Sequence, residues 1–154
     1  MADTLSGKHK KASSNPLKRP PHVLEAEQAI LGGVLLDNQA WEKISAKLCA
    51  ADFYQAEHRI IFTAILDLAK KNQPFDVITL LDNLKSIDEL DAAGGESYLF
   101  ELANNTPSVA NVSAYADIVR EKSVQRQLIQ IAGDIADAAY NPDGREVSEL
   151  LDLA

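Results

Sequence analysis

The residues able to do chemistry in this 154-residue chain are few and scattered. His9, His22 and His58 stand far apart, and none belongs to the His-Glu-x-x-His pattern that brings two imidazoles to one helix face for zinc. Cys49 is flanked directly by Leu48 and Ala50 with no basic partner, and at the end of an apolar helix it reads as a small buried hydrophobe, not a nucleophile. His58 precedes Phe62 by one helical turn and reads as a structural histidine. Asp88, Glu89 and Asp91 form a carboxylate cluster, which a solvated turn explains without further assumption. The only Gly-Lys pair, Gly7-Lys8, lacks the upstream glycine and the following Ser or Thr of a phosphate loop. No catalytic, cofactor or metal site is expected, and the chain reads as a non-enzyme.

The elements that would position these residues are helices almost throughout. Apolar residues recur at helical spacing, and no segment alternates at period two for long enough to make a strand. The fold class is all-α. A first helix from Leu24 is apolar nearly all round toward its end and therefore buried. Gly32-Gly33 inside it costs about 1 kcal/mol against alanine, so close approach of a neighbouring helix is its expected purpose. Asp37-Asn38 ends that helix and can cap a second, with Trp41, Ile44 and Leu48 on one face. A third runs from about Gln55 to Lys71, and Asp76 caps a fourth carrying Leu80, Leu81 and Leu84. A turn at "DELDAAGGES" leads into a short fifth helix, Glu96 to Asn104.

Charge is unevenly placed along the chain. Residues 1–22 hold five cations against Asp3, a net of +4, while the whole chain is −8 and the remainder therefore −12. The acidic body would repel phosphate. The stretch before Pro20-Pro21 reads as a flexible basic leader, residues 1–21, whose alternative role is contact with DNA. No apolar run is long enough to span a membrane and no apolar stretch follows the N-terminal basic residues, so a cytoplasmic location is expected.

Pro107 biases Thr106 away from helical geometry and breaks the chain after a helical head, residues 22–106. From about Asn111 to Tyr140 only Gly133 interrupts helix-forming residues. Such a helix is about 45 Å long, against a width of roughly 34 Å for the globule it leaves, so it should project. Yet Val124, Leu128, Ile131 and Ile135 fall on one aliphatic stripe. "NPDG" makes a turn, and "REVSELLDLA" restarts as a second arm too short to cover the first. Residues 107–154 thus read as a helical hairpin with a truncated second arm, completed by missing sequence or by another copy.

Five stretches, "PPHVLEAEQAILGGVLLDNQAW", "ADFYQAEHRIIF", "FDVITLLDNL", "GGESYLFELANNTPSVANVSAYADIVREKSVQRQLI" and "NPDGREVSELLDLA", together resemble the N-terminal domain of the DnaB family of bacterial replicative DNA helicases. The resemblance covers about Pro20 to the end. It implies a non-catalytic assembly domain whose hairpins pair into dimers and whose six copies form a collar. It also implies partners: primase docking on the collar, a helicase loader, and single-stranded DNA reached only through the full-length protein. ATP and Mg would belong to a RecA-like motor domain absent from this chain. Family members often carry Ser where Val23 stands, and the expectation is that Glu27 here loses a capping-box partner.

Within this reading the hairpin stripe, Val124, Leu128, Ile131 and Ile135, is the candidate oligomer interface, and Tyr98 and Glu101 beside the hinge are candidates for partner docking. Arg120, Glu121 and Lys122 are expected to make rim ion pairs. The rival reading is a free-standing helical regulator that binds DNA through its leader.

Overall fold

The computed structural model describes residues 18–154. Most of the leader, with Gly7-Lys8 and His9, lies outside the described residues. Among those described there are seven α-helices and no strand: α1 (Leu24–Leu36), α2 (Ala40–Ser45), α3 (Ala56–Lys70), α4 (Val77–Ser86), α5 (Glu96–Asn104), α6 (Val112–Tyr140) and α7 (Val147–Leu153). A single 3-10 turn, Ala50–Asp52, sits between α2 and α3 and was not foreseen from the sequence.

Helix α1 is the axle of the packed body. Every residue from Ala29 to Leu35 is buried, because α2, α3, α5 and the start of α6 all lie against it. Its glycines do what their cost suggested. A Cβ at Gly32 would stand 2.1 Å from Thr106 Oγ1 and 2.2 Å from the Leu102 carbonyl, so the hinge between α5 and α6 rests on bare backbone. Thr106 in turn donates its hydroxyl to the Leu102 carbonyl at 3.0 Å, holding the break before Pro107.

The other helices follow their sequence signals, with local differences. Asp76 accepts from the Thr79 amide at 2.9 Å and donates its own amide to Thr79 Oγ1 at 2.8 Å, a reciprocal cap for α4. Asn38 does not cap α2; its side-chain amide exchanges hydrogen bonds with the backbone of Phe75, at 2.7 Å and 2.9 Å, and so ties the end of α1 to the entry of α4. Asp37 instead receives the Gln39 amide at 3.0 Å. Because α2 stops at Ser45, Cys49 lies beyond it and is exposed, not buried as expected.

Glu27 also departs from expectation. Val23 does stand at the N-cap of α1 without a side-chain cap. Glu27, however, lies one position too far along to complete such a box. Its carboxylate turns inward, 1% exposed, and accepts from the Tyr54 amide at 2.9 Å and the Gln55 amide at 3.3 Å. His58 Nδ1 lies 2.8 Å from the same carboxylate. A buried carboxylate is tolerated only with such partners, so this α1 residue fixes the entry to α3.

Candidate assembly and docking surfaces

Helix α6 changes character along its length. Val112, Ala116, Val119 and Ser123 are buried against the body, and beyond Ser123 none of its residues is buried. The 17 residues from Val124 to Tyr140 extend for about 26 Å at the helical rise. On this part Val124 is 39%, Leu128 61% and Ile131 51% exposed, while Ile135 is half-buried. Helix α7 packs back on the far end of α6 through the Asn141–Gly144 turn, where Asp143 and Gly144 take left-handed backbone angles. None of its residues is buried, and its Val147 and Leu151 are each 71% exposed. The stripe predicted from spacing is thus a real aliphatic ridge, largely uncovered among the described residues.

The rod is held at a fixed angle by a polar clamp at its base. Asp52, in the 3-10 turn, accepts from Arg120 Nη1 at 2.7 Å, from the Ser123 hydroxyl at 2.7 Å and from the Cys49 amide at 2.8 Å. Burial disfavours the charged form of this carboxylate, but the Cys49 amide, the Ser123 hydroxyl and the Arg120 guanidinium outweigh it and hold the group below the usual carboxylate range. One turn on, Arg126 donates to the carbonyls of Asp52 at 2.6 Å and Pro21 at 2.7 Å. Its guanidinium lies 5.6 Å from the Tyr54 ring centroid, and His22 stacks on the same ring at 4.1 Å. Arg120 therefore serves the clamp and not the rim of the hairpin. A neighbouring pair, Lys47 to Asp117 at 2.8 Å, is exposed and adds little.

Tyr98 and Glu101 line one cavity of about 230 Å³ between α1 and α5, together with Glu25 and Gln28. Glu101 is exposed and one turn along α5 from Tyr98. The Tyr98 hydroxyl is 2.5 Å from His58 Nε2 and accepts from Gln28 Nε2 at 3.4 Å, so the ring is half inside the body. Gly94, at φ 103°, lets the ring lie against the preceding turn, because a Cβ there would meet it at 2.6 Å. Desolvation, with the charges of Glu57, Glu101 and Glu27, pushes the phenol above its ordinary value. The line Glu27–His58–Tyr98 runs from the core to this cavity. His58 itself is fully buried, in keeping with a structural role.

Sequence reasoning missed Asp52, Arg126 and the inward turn of Glu27. Asp52, between Ala51 and Phe53, offered a polar residue in an apolar stretch as a signal, whereas Glu27 and Arg126 have polar neighbours, and periodicity does not say which of these is buried. No cluster of three His, Cys, Asp or Glu residues able to hold a metal occurs among the described residues. No described helix is long and apolar enough to cross a membrane.

The family model for the DnaB-like helicase N-terminal domain matches residues 19–121. The chain belongs to this family. Replicative DNA helicase DnaB of Haemophilus influenzae is 48% identical over 135 residues, covering 88% of this chain and 29% of the relative. DnaB of Geobacillus stearothermophilus is 46% identical over 135 residues, covering 88% and 30%. The chain thus spans about three-tenths of the length of the curated bacterial relatives it matches. The crystal structure of the N-terminal domain of DnaB helicase from Mycobacterium tuberculosis superposes with a TM-score of 0.80 at 34% identity, covering 87% of this chain and 94% of that one. A DnaB-like replicative helicase, described with its interactions with primase, superposes at 0.66 and 28% identity over 84% of this chain and 31% of its own length. The chain is a DnaB-type N-terminal domain in sequence and in fold.

Proposed function

We propose that this domain is a non-catalytic assembly and docking module of a bacterial replicative DNA helicase, acting in the cytoplasm. Its mechanism is geometric. Rods from two copies pair along the ridge of Val124, Leu128, Ile131 and Ile135, and six copies form a collar that presents repeated surfaces to primase. The observation that supports this reading is the exposed aliphatic ridge on a rod clamped to its body at the base: a contiguous exposed apolar face marks an interaction surface. Tyr98 and Glu101, on one cavity wall, form the docking face for primase in this proposal. A loader would act on the assembled protein.

ATP and Mg²⁺ do not fit the residues described here. There is no phosphate loop in the sequence and no carboxylate set suited to a divalent ion among the described residues. We assign them, with the hydrolysis that drives unwinding and the grip on single-stranded DNA, to a motor domain in the full-length protein.

Sedimentation equilibrium over a concentration series tests the assembly reading. The parent should associate, and Leu128→Asp should remain monomeric with an unchanged helical circular dichroism spectrum, since the side chain is largely exposed. A variant that associates as well as the parent overturns the assignment of the ridge.

A further inference from the structure

The Tyr98 cavity is the middle of a longer furrow across the exposed sides of α1 and α5. On one side a hollow of about 270 Å³, walled by Leu24, Gln55, Glu57 and Gly94, shares Gln28 and Tyr98 with it. On the other side a hollow beside Glu96 and Phe100 shares Glu101 and Asn105. The floor of the cavity is apolar, made by Ala29, Leu102 and Pro107 with the Tyr98 ring. Four carboxylates line the furrow, Glu25, Glu57, Glu96 and Glu101, and none takes part in an ion pair among the described residues. Arg59 and Arg126 keep their full charge beside Tyr54 and offset the end where Glu57 lies. The far end, with Glu25, Glu96 and Glu101, has no lysine, arginine or histidine in its walls.

The chain's own basic N-terminus sets out from the edge of this furrow. Arg126 holds the Pro21 carbonyl at 2.7 Å and His22 stacks on Tyr54. Leu24, two residues after His22, and Gln55, next to Tyr54, are both furrow walls. From this anchor the chain runs back through Arg19 and Lys18 to Lys11, Lys10 and Lys8, which lie outside the described residues. The 11 residues from Lys11 to His22 can span at most about 40 Å, against a body roughly 34 Å wide, so every part of the furrow is within reach. Three lysines therefore sit on one tether with three uncompensated carboxylates. A short tether keeps its own charges at an effective concentration on the order of millimolar, so weak exposed pairs are enough to favour the leader over a free basic segment.

We propose that the leader folds back into this furrow, with Lys8, Lys10 and Lys11 against Glu25, Glu96 and Glu101, so that the basic N-terminus masks the Tyr98 face. The masking follows from charge and tether alone. Its consequence, that a docking partner must displace the leader, rests on the reading of that face given above.

The test uses the full chain, isotope-labelled, with Cys49→Ser and Ser6→Cys and a nitroxide on the introduced thiol. In about 20 mM salt the nitroxide should broaden the amide signals of Gln28, Phe100 and Glu101 and spare those of α4, and in about 0.5 M salt the broadening should fade. Lys8→Glu, Lys10→Glu and Lys11→Glu together should abolish it. So should Glu25→Lys, Glu96→Lys and Glu101→Lys together, and combining the two sets should restore it. The three glutamates are exposed, so the helical circular dichroism spectrum should stay in place. Primase should bind the lysine-reversed chain about tenfold more tightly than the parent, because the masked fraction is gone. The proposal is overturned if no furrow amide broadens, if the broadening maps elsewhere, or if it survives either reversal. It is equally overturned if a nitroxide-bearing chain broadens an unmodified one to the same extent, which would place another copy's leader in the furrow. Broadening that passes all these arms while primase binds both chains alike would uphold the masking and remove the docking reading of the Tyr98 face.

Discussion

The carboxylate of Asp52 lies 2.7 Å from the guanidinium of Arg120, joining a 3-10 turn of the body to a helix 68 residues further along the chain. This contact adds a polar tie to the apolar packing of Val112, Ala116 and Val119 that already seats the base of α6 on the body. Replacing Asp52 with Ala strands the Ser123 hydroxyl and the Cys49 amide while leaving half-exposed Arg120 to water, so the expected loss is about 1–3 kcal/mol. Chemical denaturation of the parent and the variant reads it directly.

The same group makes a prediction for pH. Its folded value lies below the ordinary 3.8, so the native state binds the proton less tightly than the unfolded chain. The stabilisation is therefore complete above about pH 4 and is lost as pH falls through the folded value. Acid unfolding curves of the parent and Asp52→Asn should converge below that point and separate above it. Parallel curves across the whole range would remove the clamp from the account of stability.

Glycine has opposite meanings at two positions. Gly32→Ala drives a methyl group into the Leu102 carbonyl and Thr106, and should destabilise the fold by about 3 kcal/mol or more, displacing α5 from α1. A Cβ at Gly133 meets nothing within 4 Å, so Gly133→Ala should stabilise the rod by about 1 kcal/mol. If a second rod seats closely at that point, the same substitution should weaken association. Melting and sedimentation of one variant separate these effects.

Beneath the Tyr98 cavity, His58→Phe would leave the Glu27 carboxylate facing an apolar ring, with only the two backbone amides to hold it, and the cost should be about 3 kcal/mol. Tyr98→Phe removes one hydroxyl from His58 Nε2 and should cost about 1 kcal/mol. Subtracting the tyrosinate absorbance titration of Tyr98→Phe from that of the parent should isolate a phenol ionising above 10.0, the direction set by its desolvation and neighbouring acids. Because the folded value is raised, any stability it contributes is present below pH 10 and declines as pH rises above it. A difference curve centred at or below 10 would show the ring to be more hydrated than the geometry implies.

Much of the architecture was legible without coordinates. The all-α class, the boundaries of α3, α5 and α6, the cap at Asp76, the break at Pro107 and the role of Gly32 all come from signals within one or two helical turns. The outreach of α6 came from length alone, since the rise per residue is fixed and a body of this size is too narrow to cover such a helix.

What only the tertiary structure decided is which polar residues face inward. Glu27 meets His58 across 31 positions, and Arg126 meets the Asp52 carbonyl across 74. Helical spacing reports which side chains share a face, but a carboxylate on that face looks the same whether it meets water or a buried donor. Cys49 was misplaced for the same reason: its exposure follows from where α2 stops and the chain turns toward Asp52, a result of packing against α6 that no local pattern encodes.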